Sequence, residues 1–412
     1  MTWSVRPLCE VADFVLGKML DQAKNRGEPL PYLANINVRW GSFDLTDLRE
    51  MRFGSHEIER YSLRSGDIVM CEGGEPGRCA LWKGQLENMM IQKALHRIRS
   101  RQGLDNTFLY YAFRQIGQSN GFAPFLTGAT IKHLPREQLA KIPVSFPALK
   151  EQKTIAAILN TYDDLIATNQ RRIALLEDTA RRLYREWFVH LRFPGHDSVP
   201  VQDGVPQGWE RLTLNAVCDA VGGGTPSTKQ PQYWDGDVVW VTPTDVTRND
   251  CLVLLDSEKK ITEAGLANSS AKLVPPYTIL ITSRASIGFF ALMDQSVCTN
   301  QGFISVLPKH ERSRMFLLFN LLGRVEEMIG LATGSTFKEI SKKTFRALPI
   351  LWPEVALLNL FEEKALPLIQ QVRLVKKQNA QLARARDLLL PKLMSGQIDV
   401  SGIALPKEEA AA

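Results

Sequence analysis

The sequence predicts an α+β protein: two pseudo-repeated mixed α/β globules, separated by two long helices that pair antiparallel as a coiled coil. Three observations carry this. Thr127-Gly128-Ala129-Thr130-Ile131-Lys132 recurs as Thr333-Gly334-Ser335-Thr336-Phe337-Lys338, 206 residues on in a chain of 412. At the same offset Pro143 and Pro147 meet Pro349 and Pro353, Trp3 meets Trp209, and Leu8 and Val11 meet Leu214 and Val217. After each globule, apolar residues recur at alternating spacings of four and three, the pattern of a coiled-coil face.

The first globule is expected over 1–147 and the second over 207–353. Between the anchors the offset drifts by a few residues, as surface loops allow. Residues 67–70 resemble 278–281, and 32–38 resemble 240–246. Short runs read as strands at 67–70, 238–242, 278–282 and 302–307. Turn-rich stretches separate them, notably Glu72-Gly73-Gly74-Glu75-Pro76-Gly77 and Gly222-Gly223-Gly224-Thr225-Pro226-Ser227.

A central helical spacer and linker is expected over 148–206, and a distal helical spacer with a C-terminal tail over 354–412. The first seam runs Ile155, Leu159, Tyr162, Ile166, Asn169, Ile173, Leu176, Ala180, Leu183, Trp187. The second, at the repeat offset, runs Phe361, Ala365, Leu368, Val372, Val375, Asn379, Leu382, Arg386, Leu389, Leu393. Pro367 falls inside the second, where an interior proline costs about 3 kcal/mol. A break is therefore expected there, with Pro367 in the first turn of a new helix. Thr161, its counterpart, is the expected N-cap ahead of Asp163 and Asp164. That places the long helices at 162–190 and 367–390, a helix of ~28 residues spanning roughly 42 Å. Asn169 and Asn379 are candidates to face each other and set the register, the alternative being that each faces water or another chain.

A net charge of +6, from 50 basic and 44 acidic side chains, permits contact with a polyanion without requiring it. The six cysteines form no C-x-x-C pair, so no zinc site is expected. Residues 1–10 lack the apolar core of a signal peptide, and no run reaches the ~20 apolar residues of a membrane span, so a cytoplasmic protein without membrane contact is expected.

At this point a resemblance emerges, to the specificity subunits of type I restriction-modification systems. Ile142-Pro143-Val144-Ser145-Phe146-Pro147-Ala148-Leu149-Lys150-Glu151-Gln152, with Tyr162-Asp163-Asp164-Leu165-Ile166, is similar to that family's join between recognition domain and helix. Ala180-Arg181-Arg182-Leu183-Tyr184-Arg185-Glu186-Trp187-Phe188 resembles its helix end. Gly223-Gly224-Thr225-Pro226-Ser227, with Tyr233-Trp234 and Trp240 beyond, resembles the opening of its recognition domains. The first half departs, with Val15-Leu16-Gly17-Lys18-Met19 in that place. The second half has Pro353-Glu354-Val355-Ala356-Leu357 where the family shows a Glu-Gln pair. The resemblance implies two target-recognition domains, each reading half of a split site in double-stranded DNA. It also implies two methyltransferase subunits docked on the helices and a nuclease/translocase subunit as a further partner. No cofactor is expected on this chain; S-adenosylmethionine, Mg and ATP belong to the partners.

Lys132 and Lys338, with the hydroxyls of Thr127, Thr130, Thr333, Ser335 and Thr336, are the phosphate-contact candidates. The competing reading is a structural turn with a solvated lysine. Arg64, Arg78, Arg97, Arg248 and Arg284 are candidates for base contact, since Arg suits guanine. Thr225 and Lys229 mark a Gly-rich loop able to bring backbone near a phosphate.

Catalytic patterns are missing. Val274-Pro275-Pro276-Tyr277 lacks the polar residue an adenine methyltransferase places before its Pro-Pro-aromatic step. The turn 72–78 lacks the G-K-[ST] of a P-loop, and His56-Glu57 has no second histidine at metalloprotease spacing. A non-catalytic recognition subunit is expected. The alternative is a coiled-coil adaptor whose globules bind protein surfaces.

Overall fold

The computed structural model describes residues 3–21 and 25–403; the end of the expected tail, 404–412, lies outside them. Two compact units partition the chain. One comprises Met1–Ile166 with Gln381–Ala412, the other Ala167–Ala380. Each long helix thus contributes to both units.

The first unit is built on a four-stranded antiparallel sheet in the order Ala12–Leu16, Leu95–Ser100, Ile68–Cys71, Cys79–Leu81. The second repeats it with Cys218–Gly222, Phe303–Pro308, Ile279–Thr282, Phe290–Ala291. Registers correspond: Ile98 faces Ile68 as Val306 faces Ile279. A second, three-stranded sheet accompanies each. Glu28–Leu33 lies between antiparallel Arg49–Phe53 and parallel Met90–Ile91; Trp234–Val241 lies between antiparallel Lys259–Ile261 and parallel Cys298–Thr299. Finally, the first and last strands of each globule pair. Ser4 faces Phe146 and Glu210 faces Trp352, both at the repeat offset. The duplication is therefore one of hydrogen-bond pattern as well as sequence. Inner strands such as Ile68–Cys71 and Ile279–Thr282 are buried at every residue, which explains their unbroken apolar runs.

The expected helix break does not occur. One helix runs Leu149–Tyr184 for 36 residues, then widens into a π turn over Arg185–Val189. The other runs Val355–Met394 for 40 residues, through both Pro367 and Pro391. At 1.5 Å per residue they span about 54 and 60 Å, longer than the ~42 Å expected. Packing explains the continuity across Pro367. Phe361, Ala365, Ile369 and Val372 are fully buried around it, while Pro367 itself faces solvent. Water can then satisfy the Glu363 carbonyl that loses its helical donor. Thr161 is not an N-cap; it lies mid-helix and donates its hydroxyl to the Ala157 carbonyl at 2.9 Å.

Nor do Asp163 and Asp164 serve a helix start. Asp164 pairs with Lys83 at 2.5 Å. Asp163 accepts from the Tyr111 hydroxyl at 2.7 Å and pairs with Arg114 and Arg386, while Asp387 pairs with the same two arginines. Burial opposes the charge on Arg386, yet Asp387 and Asp163 outweigh it and raise its pKa. The arginine inside the seam is thus balanced by a neutral cluster of two carboxylates and two guanidinium groups.

The helices run antiparallel within each unit. In the second, the Asn169 amide donates to Asn379 Oδ1 at 2.8 Å, and the Tyr184 ring lies 6.1 Å from Phe361. In the first, Asp163 meets Arg386, and Ile155 and Leu159 share a core with Leu390 and Leu393. Ile173, Val372 and Val375 are buried; Ile166, Leu176, Leu183, Leu382 and Leu389 are half-buried. No helix is long and apolar enough to cross a membrane among the described residues.

Candidate nucleic-acid interface

The repeated Thr-Gly-x-Thr-x-Lys segment folds into the same closed loop twice. Thr127 and His133 exchange both backbone hydrogen bonds at 2.9 Å, and Thr333 and Glu339 do so at 3.0 and 2.8 Å. Each loop turns through a glycine in the left-handed region, Gly128 at φ +95° and Gly334 at φ +129°. A Cβ there would sit 2.1 Å from the Ile131 carbonyl oxygen or 2.3 Å from that of Phe337, so glycine is required by space as well as by φ.

Both loops are tied to a hairpin turn and to the residue entering the central strand. Leu134 N donates to Glu72 O, and Glu72 N to Ala94 O, each at 2.8 Å. In the second unit Ile340 N donates to Ser283 O at 3.0 Å, and Ser283 N to Gly302 O at 2.8 Å. Each globule thus presents a platform of three segments held by shared backbone bonds. Such bonding fixes geometry while leaving the side chains free to differ.

Lys132 and Lys338 project from these loops exposed, and their ammonium groups make no hydrogen bond or ion pair among the described residues. The hydroxyls of Thr127, Thr130, Thr333, Ser335 and Thr336 are exposed beside them. Apolar neighbours are exposed too: Ile131 at 66% and Phe337 at 56%. Arg284 shares the second platform, 3.8 Å from Glu339. Arg78 shares the first but is occupied, pairing with Glu75 at 2.9 Å and donating to Asn35 O at 2.9 Å. It braces two loops together instead of offering its fork outward.

The remaining arginines lie apart. Arg97 is buried within its strand and donates to Ser62 O at 2.9 Å; burial, reinforced by Arg99, lowers its pKa to about 10. A buried guanidinium committed to a backbone carbonyl is not presented to a duplex. Arg64 is exposed at the far end of the Ile68–Cys71 strand from the hairpin turn. Arg248 is exposed after the Pro243–Thr247 helix, 3.9 Å from Glu258.

The Gly-rich loop joins the second platform. Gly224 N donates to Thr299 O at 2.8 Å, and the Trp240 indole N–H donates to Gly224 O at 2.9 Å. A Cβ on Gly223 would lie 2.1 Å from Thr299 O, and one on Gly17 would lie 2.4 Å from Gln92 O. Gly17 therefore supplies, in the first globule, the same close approach despite the missing Gly-Gly-Thr-Pro-Ser. Lys229 is exposed on this loop, and Thr225 donates to Gln301 Oε1 at 2.6 Å. Gln301 and its counterpart Lys93 are platform residues that sequence reasoning missed. The Asn300-Gln301-Gly302 turn immediately before the strand Phe303–Pro308 was the available signal.

No cluster of three potential metal ligands occurs among the described residues, and all six cysteines are free. Burial pushes the thiols of Cys71, Cys79, Cys218, Cys251 and Cys298 upward, toward inert side chains.

A family model described as the type I restriction modification DNA specificity domain matches residues 1–178 and 206–356. The chain belongs to that family. The duplication is thus two copies of its DNA specificity domain. Across almost its whole length the chain is 23% identical to the putative type I restriction enzyme MjaX specificity subunit of Methanocaldococcus jannaschii, covering 97% of this chain and 94% of that one. Over 151 residues it is 34% identical to the MjaIX specificity subunit of the same organism, a match covering 36% of this chain and 35% of that one. The HindI specificity subunit of Haemophilus influenzae is 22% identical, covering 65% and 72%. The fold is similar to the crystal structure of a type I restriction-modification S subunit from M. genitalium, with TM-score 0.58, 17% identity and coverage of 95% and 96%.

Proposed function

We propose that this chain is the sequence-reading subunit of a type I restriction-modification complex. It recognises a split, two-part site in double-stranded DNA and directs partner subunits to it. The carrying observation is the repeated platform: two sets of loops held by matching backbone bonds, each with a lysine ammonium left unpartnered (Lys132, Lys338), surrounded by different side chains. Shared backbone geometry with divergent surfaces suits two readers of unlike half-sites. The lysines and hydroxyls position phosphates, and neighbouring side chains read base edges.

In this reading 1–147 and 207–353 are the recognition domains, 148–206 is the central helical spacer and linker, and 354–412 is the distal helical spacer with a C-terminal tail. Two methyltransferase subunits dock on the helices and methylate adenine, and a nuclease/translocase subunit joins them. S-adenosylmethionine, Mg and ATP are theirs. Methylation mapping of DNA from cells with and without the gene is the test. A two-part adenine-methylated motif that vanishes with the gene supports the reading. Identical methylation patterns refute it and favour the adaptor alternative.

A further inference from the structure

We propose that Gln301 is an adenine-reading residue of the second globule, an inference that rests on the DNA-reading function above. Gln301 stands in a turn fixed from several sides. Asn300 N donates to Val241 O at 3.1 Å, Asn300 Oδ1 accepts from Gly302 N at 2.9 Å, and Gly302 O accepts from Ser283 N at 2.8 Å. Its backbone is therefore anchored to both sheets of the unit and to the hairpin turn carrying Arg284. The side chain is nevertheless exposed.

The Thr225 hydroxyl donates to Gln301 Oε1 at 2.6 Å. That contact holds one edge of the amide, with Oε1 facing the Thr225 hydroxyl. One Oε1 lone pair remains, together with both Nε2 hydrogens, which have no partner among the described residues. An acceptor beside a donor, in one plane, matches the major-groove edge of adenine: N6–H donates and N7 accepts. Guanine presents two acceptors there and cannot satisfy the amide oxygen. Preorientation by Thr225 lowers the rotamer entropy lost on binding.

The equivalent position in the first globule is Lys93, exposed and donor-only. A donor-only group fits the two acceptors of guanine. One platform position thus carries different chemistry in the two halves, as unlike half-sites require.

The test selects binding sites from a randomised DNA duplex library with the full chain. Wild type is compared with Gln301→Ala, Gln301→Lys and Thr225→Val. Wild type should enrich a two-part motif. Gln301→Ala should lower the preference for one adenine by roughly ten-fold or more, leaving the preferences of the other half-site intact. Gln301→Lys should move that position toward guanine, and Thr225→Val should weaken the adenine preference partially. Full preference retained in Gln301→Ala overturns the assignment, as does loss of both half-sites together. A wild-type chain that enriches no motif overturns the DNA-reading function itself, and Gln301 with it.

Discussion

Among the described residues, two alanines adopt backbone conformations that L side chains rarely take. Ala94 has φ 97° and Ala285 has φ 62°. Ala285 has a glycine in that same region at the corresponding place in the other repeat, Gly74 at φ +78°. Left-handed backbone costs an alanine about 1–2 kcal/mol, partly offset by the stiffer unfolded chain. Ala94→Gly and Ala285→Gly should each stabilise the protein by about 0.5–1 kcal/mol, read as a higher urea midpoint; a lower midpoint contradicts the strain. A second residue-level prediction concerns Glu362. Burial raises its pKa, although its carboxylate accepts from Met315 N at 2.8 Å. The raised pKa means that the folded state holds the proton more tightly, so stability is full below the ordinary carboxylate range and declines as pH rises through the folded value. Glu362→Gln keeps an acceptor without a charge. Its Tm should exceed wild type at pH 7, and the gain should shrink toward pH 4.

The long helices show where local propensity yields to packing. Pro367 disrupts no buried hydrogen bond, because it lies on the solvent face of a helix whose other face is fully buried. Pro367→Ala restores one amide donor to Glu363 and should stabilise by about 2 kcal/mol, measured by thermal unfolding. The helical pair also carries a polar cluster whose members depend on one another. Asp163 is mostly buried between Arg114, Arg386 and Tyr111. Asp163→Ala leaves two guanidinium groups facing two carboxylate interactions fewer and should destabilise by about 3 kcal/mol. Asp163→Ala combined with Arg386→Leu should recover part of that loss in a double-mutant cycle; strict additivity would show the pair to be uncoupled.

At the scale of the whole molecule, net charge is a poor guide to what the chain binds. The excess of +6 is spread over 94 charged side chains, and many arginines are consumed internally. What matters is placement, with the ammonium groups of Lys132 and Lys338 left unpartnered on equivalent loops. Neutralising two phosphates releases about 0.9 counterion each. Lys132→Gln with Lys338→Gln should therefore weaken binding to all duplexes and reduce the slope of log K against log salt by roughly two. An unchanged slope rejects the phosphate role. Salt-insensitive binding by the wild type would favour the adaptor reading.

The sequence by itself determined the duplication, the α+β class, the paired heptad seams and the two loops bearing Lys132 and Lys338. All of these are local patterns, repeated at one offset, so each copy corroborates the other. Only the tertiary structure decided the helix lengths, because the burial of Phe361, Ala365 and Ile369 outweighs a proline penalty that no local rule can weigh against packing. It also decided which arginines remain free: Arg97 and Arg78 are committed to carbonyls or carboxylates whose chain positions lie 35 and 43 residues away or at a turn neighbour. Gln301 became visible for the same reason. Its meaning lies in a hydroxyl 76 positions distant in the chain, and residue identity carries no record of such a partner until the sheets bring the two together.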